Sequence, residues 1–241
     1  MSLFSSVFRK KAPKSAPNEP IGDNKALISV DNVTLSYDGK AVIENLSFSV
    51  EEGDLLCIIG ENGSGKSSLI GALSGMIKPT SGKISFSGIA RNQIGILPQQ
   101  ATVSGDSQAT VREIVTAGCL ARSNKGAFMS KESKAIVDSN LALLNLTHLA
   151  DRRCRELSGG QCRKVMLARA LCSAEKLLLL DEAVAGLDRA TAEEVYTLIS
   201  QLNRGGMTIV MITSDTAAAH RYATKLLCIN KDSISFKANG I

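Results

Sequence analysis

One short segment limits what this chain can fold into more than any other: a glycine-rich loop between an apolar run and a helical pattern. It reads Gly60-Glu61-Asn62-Gly63-Ser64-Gly65-Lys66-Ser67, which fits the spacing G-x-x-x-x-G-K-[ST]. The glycines let backbone N–H groups converge on a phosphate, the lysine reaches its outer oxygens, and the last hydroxyl holds Mg²⁺. Residues 55–59 before the loop predict a buried strand, and residues 67–73 after it predict a helix whose dipole favours anions. The loop therefore predicts a site for a nucleoside triphosphate, without saying which class of triphosphatase carries it.

The apolar pattern elsewhere in the chain is typical of the α/β class. Residues 176–180 and 207–212 are near-continuous apolar runs, as in parallel strands that are covered on both faces. Residues 191–203 between them predict a helix, which gives a strand-helix-strand unit. Three earlier segments predict short antiparallel strands, at residues 27–33, 41–50 and 83–86. We therefore expect a parallel sheet built on the phosphate loop, with an antiparallel β subdomain beside it.

Helical spacing replaces the strand pattern from about residue 104 to residue 150, with Thr110 as the predicted N-cap of the first helix. We expect an α-helical subdomain at about residues 104–165, inserted into one domain that spans residues 27–241. Residues 1–26 contain Pro and Ser and hold a net charge of +3 out of the chain's +5. This composition predicts a disordered basic tail. An alternative is a weak attraction of the tail to an anionic membrane leaflet.

Composition argues against several classes of protein. Because the domain outside the tail is almost neutral, it lacks the basic stripe of a nucleic-acid-binding face, and we expect no nucleic-acid partner. Six cysteines without a C-x-x-C pair indicate a reduced, cytoplasmic setting. The sequence has no run of 18 apolar residues and no apolar signal segment, so we expect neither a membrane span nor secretion. Any role at a membrane is then expected to pass through a partner.

Asp181 and Glu182, which follow the apolar residues 177–180, form a second chemical feature. Two adjacent carboxylates at a strand end, with no basic residue beside them in the sequence, are costly to place there without a use. Asp181 can bind Mg²⁺ through its water shell, and Glu182 can orient or deprotonate an attacking water. A plain solvated acidic pair is the alternative, but the phosphate loop upstream favours the catalytic interpretation.

The segment Leu157-Ser158-Gly159-Gly160-Gln161 narrows the choice among phosphate-loop proteins. Ser158 and Gln161 have the S-x-x-Q spacing of a capping box at the start of a helix. Gly159 and Gly160 leave the first N–H groups of that helix uncovered, which makes a second anion-binding terminus. An ordinary helix cap is the alternative, because this spacing also recurs by chance.

Together with the loop Ala185-Gly186-Leu187-Asp188, these motifs follow one another in the order of a known family. The sequence resembles the ATP-binding cassette (ABC) family of transporter ATPases over about residues 27–235. The resemblance implies ATP hydrolysis with Mg²⁺ by a head-to-tail homodimer, in which each ATP lies between the phosphate loop of one subunit and Ser158 of the other. It also implies that Gln99 contacts Mg²⁺ and senses a membrane partner, that Tyr37 stacks on adenine, and that Asp188 lies at the dimer seam.

The resemblance gives each candidate site residue an expected role. The catalytic set is Lys66, Gln99, Glu182 and Ser214, and the metal set is Ser67, Gln99 and Asp181. The set that holds ATP comprises Tyr37, Gly60, Glu61, Asn62, Gly63, Ser64, Gly65, Lys66, Ser67, Ser68, Ser158, Gly159, Gly160, Gln161 and Asp188. Two of these roles have a plain alternative in the sequence. Tyr37 also fits an ordinary exposed tyrosine on a turn, and Gln99 also fits a polar residue that follows a turn proline.

Ser214 is the main departure from the family pattern, because the family usually has a histidine at this position after the last core strand. A serine can donate a hydrogen bond to the γ-phosphate, but its reach is shorter and it cannot become cationic. We therefore predict slowed hydrolysis with ATP binding retained. Two smaller departures are Ala183-Val184 in place of proline and threonine, and Arg163-Lys164, which replaces glutamine and arginine and preserves positive charge.

The spacer between residues 82 and 99 and the apolar residues 226–230 are most similar to the zinc and manganese importer subunits of the family. On this resemblance we expect a cytoplasmic ATPase at the inner face of the cell membrane, partnered by integral membrane permease subunits and an extracytoplasmic substrate-binding protein. The chain has only two histidines, His148 and His220, so other subunits are expected to handle the metal ion. The alternatives are cobalt or siderophore importers, exporters with separate ATPase chains, a soluble scaffold for iron–sulfur assembly, and a slow nucleotide switch.

Overall fold

The computed structural model describes residues 26–100, 108–122, 130–231 and 233–239. The predicted basic tail lies outside these residues except for Ala26, and so does the predicted start of the helical segment near residue 104.

Strands and helices are numbered in chain order within the described residues. The strands are β1 (Ala26–Tyr37), β2 (Lys40–Glu51), β3 (Leu55–Ile59), β4 (Ser81–Phe86), β5 (Ile94–Leu97), β6 (Leu177–Asp181), β7 (Thr208–Ile212), β8 (Lys225–Asn230) and β9 (Ser233–Ala238). The helices are α1 (Lys66–Ser74), α2 (Val111–Arg122), α3 (Lys131–Leu143), α4 (Gly159–Ser173), α5 (Arg189–Arg204) and α6 (Thr216–Tyr222). Short 3₁₀ turns lie at Arg91–Gln93, Thr147–Leu149 and Cys154–Glu156.

A six-stranded sheet with the order β5-β6-β7-β3-β8-β9 forms the centre of the molecule. Its strands run parallel except β9, which pairs antiparallel with β8 at one edge. Every residue of β3, β6 and β7 is buried. Alternate residues of these strands pack into two cores, so that Cys57 and Met211 face the core that holds α2 to α4, while Ile58 and Val210 face the core beneath β1 and β2. The sheet is thus covered on both faces, which confirms the expected α/β class.

The antiparallel sheet has the order β2-β1-β4 and shares its core with α1. The sequence predicted that the first strand ends at residue 33, whereas β1 continues to Tyr37. Asn32 has a left-handed backbone, with φ of 47°, and the register of β1 against β2 shifts around it. This irregularity breaks the alternation that marks a strand in the sequence. Tyr37 is consequently the last residue of β1, directly before the Asp38-Gly39 turn rather than on it.

Helices α2, α3 and α4 pack against one another and against one face of the large sheet. The Thr110 hydroxyl accepts a hydrogen bond from the Glu113 amide at 3.2 Å, and the Glu113 carboxylate accepts one from the Thr110 amide at 2.8 Å. This reciprocal pair confirms Thr110 as the cap of α2. The limits of the helical subdomain stay a prediction. None of the helices in the described part of the chain has both the length and the apolar character that crossing a membrane requires.

Candidate active site

Four neighbouring strands deliver predicted site residues to one edge of the large sheet. β5, β6, β7 and β3 are adjacent and parallel, so their carboxyl ends lie together. Gln99 comes shortly after β5, Asp181 ends β6, and Glu182 follows it. The phosphate loop follows β3, and Ser214 comes shortly after β7. The fold therefore explains how residues far apart in the sequence can serve one site.

Two glycines of the phosphate loop occupy backbone positions that no larger residue fits. Gly60 has φ of 142°, and a Cβ atom there would lie 1.9 Å from the carbonyl oxygen of Ile229 in β8. Gly65 has φ of 92°, and a Cβ atom there would lie 2.8 Å from Cγ1 of Ile43 in β2. Gly65 is also the N-cap of α1, so Lys66 begins that helix. The N–H end of α1 thus adjoins the loop, as expected for a phosphate site.

A cavity of about 560 Å³ opens beside the loop. Predicted residues from four parts of the chain line it, namely Tyr37, Asn62, Gly63, Gly65, Lys66, Ser67, Ser68, Gln99 and Glu182. Val42 and Ile212 add apolar surface. Tyr37 is 68% exposed, so its ring is available for stacking on a flat ligand.

Lys66 and Ser67 both line this cavity and make different contacts. The Lys66 ammonium donates hydrogen bonds to the carbonyl oxygens of Gly60, at 2.9 Å, and Glu61. The Ser67 hydroxyl lies beside the carboxylate of Asp181 and lowers the pKa of that carboxyl. The hydroxyl and the carboxylate therefore present neighbouring oxygen atoms, and oxygen atoms are the ligands that Mg²⁺ prefers.

Asp181 is buried, and its Oδ1 atom has no hydrogen-bond partner among the described residues. Burial raises the pKa of the Asp181 carboxyl above its usual range. The neighbouring charge of Glu182 raises this pKa further, while the Ser67 hydroxyl and the cations of Arg163 and Lys66 lower it. A buried carboxylate oxygen without a partner is costly, and a divalent cation would remove that cost. The pair of Ser67 and Asp181 therefore fits a bound Mg²⁺.

Glu182 follows β6 with an unusual backbone and lines the cavity. Its φ of 51° is left-handed, which costs a residue other than glycine roughly 1–2 kcal/mol. Its Oε2 atom accepts a hydrogen bond from Nε2 of Gln99 at 3.1 Å. Strained residues of this kind concentrate at functional sites, and a held carboxylate beside a phosphate loop can accept a proton from water.

Sequence reasoning missed Arg163, which it treated only as a positive charge on a helix. Its guanidinium is buried and donates to five backbone carbonyl oxygens, those of Pro98, Gln99, Asp181, Glu182 and Ala183. The signal that could have identified it is its helical spacing, because Arg163 shares one face of α4 with the buried Met166, Leu167 and Ala170. The acidic pair has no basic neighbour in the sequence, but it has one in the fold.

The helix that begins after Ser158 has the predicted cap. The Ser158 hydroxyl accepts a hydrogen bond from the Gln161 amide at 3.2 Å, and the Gln161 side-chain oxygen accepts one from the Ser158 amide at 3.0 Å. These two bonds confirm the capping box. A Cβ atom on Gly159 would meet nothing within 4 Å, so this terminus of α4 is open. Residues 158–161 do not belong to the described lining of the cavity.

Two further predicted residues, Asp188 and Ser214, are not among the described residues that line the cavity. Asp188 is exposed and caps α5, with Oδ1 accepting a hydrogen bond from the Thr191 amide at 3.0 Å. The hydrogen bonds from Thr191 lower the pKa of Asp188. Ser214 is exposed, and Asp215 after it caps α6.

Among the described residues, neither histidine belongs to a cluster of acidic or thiol groups that could hold a metal ion. His148 lies in a 3₁₀ turn and His220 lies in α6, and both are exposed. No group of three or more His, Cys, Asp or Glu residues within the described ranges could hold a metal ion.

Comparison with known proteins gives results consistent with this geometry. The family profile described as "ABC transporter" matches residues 43–185. The chain is similar to the zinc uptake system ATP-binding protein ZurA of Listeria innocua, with 34% identity over 213 residues, 85% of this chain and 83% of that protein. It is also similar to the manganese transport system ATP-binding protein MntB of Bacillus subtilis, with 35% identity over 216 residues, 87% of this chain and 85% of that protein.

Among solved structures, one described as an inward-facing metal-chelate type ABC transporter is similar over 90% of this chain and 84% of that chain. The TM-score is 0.80 and the sequence identity is 34%. The match confirms the expected fold, with its antiparallel and helical parts placed around the phosphate-loop core.

Proposed function

Because the chain belongs to the ABC transporter family, whose ATP-binding subunits hydrolyse ATP, we propose that it powers the uptake of a divalent metal through a separate membrane permease. The two relatives are named for zinc uptake and manganese transport, and the similar structure is named as a metal-chelate transporter. The observation that carries the proposal is the convergence of the phosphate loop, Gln99 and Glu182 on one cavity beside the buried Asp181. The relatives give no support to a soluble assembly scaffold.

In the proposed site, residues 60–68 wrap the phosphates of ATP and Tyr37 stacks on the adenine. The Lys66 ammonium exchanges its loop carbonyls for β- and γ-phosphate oxygens. Ser67, Asp181 and Gln99 would hold Mg²⁺, and the bound ion would supply positive charge that offsets the charge of the phosphates. The Glu182 carboxylate orients the attacking water and accepts its proton, while Gln99 keeps that carboxylate in place through the 3.1 Å hydrogen bond.

The proposed working unit is a head-to-tail homodimer. The capped terminus at Ser158 is open and lies outside the cavity of its own chain. In a head-to-tail pair, this terminus of one subunit closes over the γ-phosphate that Lys66 of the other subunit holds. Asp188, which is exposed on the loop before α5, then lies at the seam between the subunits.

The proposed partners outside this pair are permease subunits in the membrane and an extracytoplasmic substrate-binding protein. The chain then works on the cytoplasmic side, at the inner face of the cell membrane. Support comes from the two relatives, which are named as parts of a zinc uptake system and a manganese transport system. In this scheme the metal is the cargo of the permease, and this chain supplies only the energy.

The catalytic assignment is tested with Glu182→Gln in the full-length chain. The variant removes the proton acceptor but keeps the shape, so we expect turnover to fall by about 10²- to 10⁴-fold while the Kd for ATP stays the same. Glu194→Gln is the matched control, because Glu194 is exposed and pairs only with Lys164 among the described contacts of its carboxylate. Retained turnover in Glu182→Gln would reject the assigned role.

The transport assignment is tested by co-expressing the chain with the permease subunits that associate with it, and by measuring uptake of zinc and manganese into vesicles that contain the complex. We expect ATP-dependent uptake of one of the two metals, which the Glu182→Gln variant abolishes. ATP hydrolysis without accumulation of either metal would show that the cargo is wrongly assigned while the ATPase assignment holds.

A further inference from the structure

Arg163 has every donor of its side chain engaged. Its Nε atom donates to the carbonyl of Ala183 at 3.2 Å, and its Nη1 atom donates to those of Pro98 and Gln99 at 3.2 and 3.0 Å. Its Nη2 atom donates to the carbonyls of Asp181 and Glu182 at 2.7 and 2.6 Å. A guanidinium group carries five N–H donors, so the set is complete.

The five acceptors belong to two segments that leave the sheet side by side. Residues 98–99 follow β5 and residues 181–183 include the end of β6, and these strands are paired in parallel. Arg163 lies in neither segment, because it belongs to the first turns of α4. Since the guanidinium is planar and rigid, it fixes the two segments relative to each other as well as to α4.

The residues held in this way carry the side chains that face the cavity. Gln99 and Glu182 both line it, and their side chains are joined by the 3.1 Å hydrogen bond. Glu182 also has the left-handed φ of 51°, a conformation that persists only where its surroundings enforce it. Its carbonyl makes the shortest of the five bonds to Arg163.

We propose that Arg163 is a positioning residue for hydrolysis, which holds the backbones of Gln99 and Glu182 so that their side chains keep the geometry that the reaction needs. The inference rests on the roles proposed above for these two residues. Neither lysine nor glutamine, the residue that the family usually has at this position, can make all five of the bonds that this chain has. Lysine has three donors on one atom, and glutamine has two donors and an acceptor that would face other carbonyl oxygens.

The test compares Arg163→Lys and Arg163→Gln with the wild-type full-length chain. Displacement of a reacting group by about 1 Å costs up to about 100-fold in rate, so we expect kcat to fall by about 10- to 100-fold in both variants. The stoichiometry and Kd of ATP binding stay unchanged, because none of the five bonds reaches residues 60–68. The Mg²⁺ concentration for half-maximal turnover rises about threefold or more, as expected when one polar contact is weakened. If Arg163 only stabilised the fold, its loss would reduce the fraction of protein that binds ATP, but the folded fraction would need the same Mg²⁺ concentration for half-maximal turnover.

Arg169→Lys is the matched control, since Arg169 lies on the same helix and is exposed. We expect wild-type kcat and Mg²⁺ dependence for this variant. Unchanged kcat in Arg163→Lys and Arg163→Gln, with turnover lost in Glu182→Gln, would overturn the positioning role alone. Turnover retained in Glu182→Gln would instead overturn the proposed function on which it rests.

A measurement on the wild-type protein keeps the proposal testable if both variants fail to fold. With isotope-labelled arginine, the four Nη protons of Arg163 should give separate, slowly exchanging NMR signals, because each is held by its own carbonyl. A single averaged signal would show that the guanidinium rotates freely and would overturn the proposal.

Discussion

Replacing Gly60 by alanine should damage the phosphate site through the backbone alone, without removing any polar group. A Cβ atom at residue 60 would lie 1.9 Å from the Ile229 carbonyl oxygen, whereas ordinary contact begins at 3.4 Å. The loop and β8 must therefore separate by about 1.5 Å, the difference between these two distances. The φ of 142° adds a second cost, because side chains rarely adopt it.

The expected magnitude follows from these two terms. Backbone strain at such a position costs roughly 1–3 kcal/mol, and forcing a methyl group into a packed site typically costs about 1–3 kcal/mol more. We expect Gly60→Ala to lower the free energy of unfolding by roughly 2–6 kcal/mol. Gly39→Ala is the matched control, since Gly39 has φ of 76° and open space within 4 Å. Gly39→Ala should lower the free energy of unfolding only by the cost of a left-handed alanine, roughly 1–2 kcal/mol.

The assay is urea denaturation of both variants at 25 °C, with ATP binding measured on the folded protein. We expect Gly60→Ala to lose more stability than Gly39→Ala and to bind ATP more weakly, because β8 and the loop have moved apart. Equal losses of stability in the two variants, with ATP affinity unchanged, would refute the argument from the close approach to Ile229.

Three further predictions concern other parts of the chain. Ser214→His should raise turnover at unchanged ATP affinity, because the longer cationic side chain reaches further from its exposed position; equal kcat would reject the expected slowing by serine. In the folded protein, a thiol reagent should modify at most the two partly exposed cysteines, Cys162 and Cys228. Cys162 should react slowly, because burial raises the pKa of its thiol. Reaction of all six cysteines before denaturation would contradict this prediction. Tyr196→Phe removes the buried 2.7 Å hydrogen bond to the Thr213 hydroxyl and should lower the free energy of unfolding by roughly 1 kcal/mol in a denaturant titration. Thr213→Val should lower it by roughly 2 kcal/mol or more, because it leaves the buried tyrosine hydroxyl unpaired. The reverse order of the two losses would contradict this reasoning.

The sequence predicted the parts of the fold that depend on local pattern. The phosphate loop was identified from its glycines and lysine, and the buried strands β3, β6 and β7 from their apolar runs. Parallel pairing of these strands brings the phosphate loop and Glu182 to one edge of the sheet, whereas Gln99, which follows β5, was assigned only from the resemblance to the family. The capping box at Ser158 needed only the spacing of two residues.

The parts that could not be predicted depend on contacts between distant segments. Arg163 is a surface-type residue by composition, and its burial is possible only because five carbonyl oxygens from two loops surround it. The unpartnered oxygen of Asp181 likewise depends on which groups pack around it. The sequence analysis predicted no strand at β9, although Ile234 and Phe236 alternate with polar residues there. Every residue of β9 is exposed, so this strand lacks the buried apolar run by which the central strands were recognised.

The burial of β3, β6 and β7 has a consequence for how the molecule opens. Backbone amides in fully buried central strands exchange with solvent only when most of the molecule unfolds, whereas exposed edge strands open often and locally. β9, with every residue exposed, belongs to the second kind. The phosphate loop and the adjacent carboxylates of Asp181 and Glu182 are attached to strands of the first kind. Fraying at the β9 edge therefore leaves the phosphate loop, Asp181 and Glu182 assembled, and their arrangement lasts as long as the native state itself.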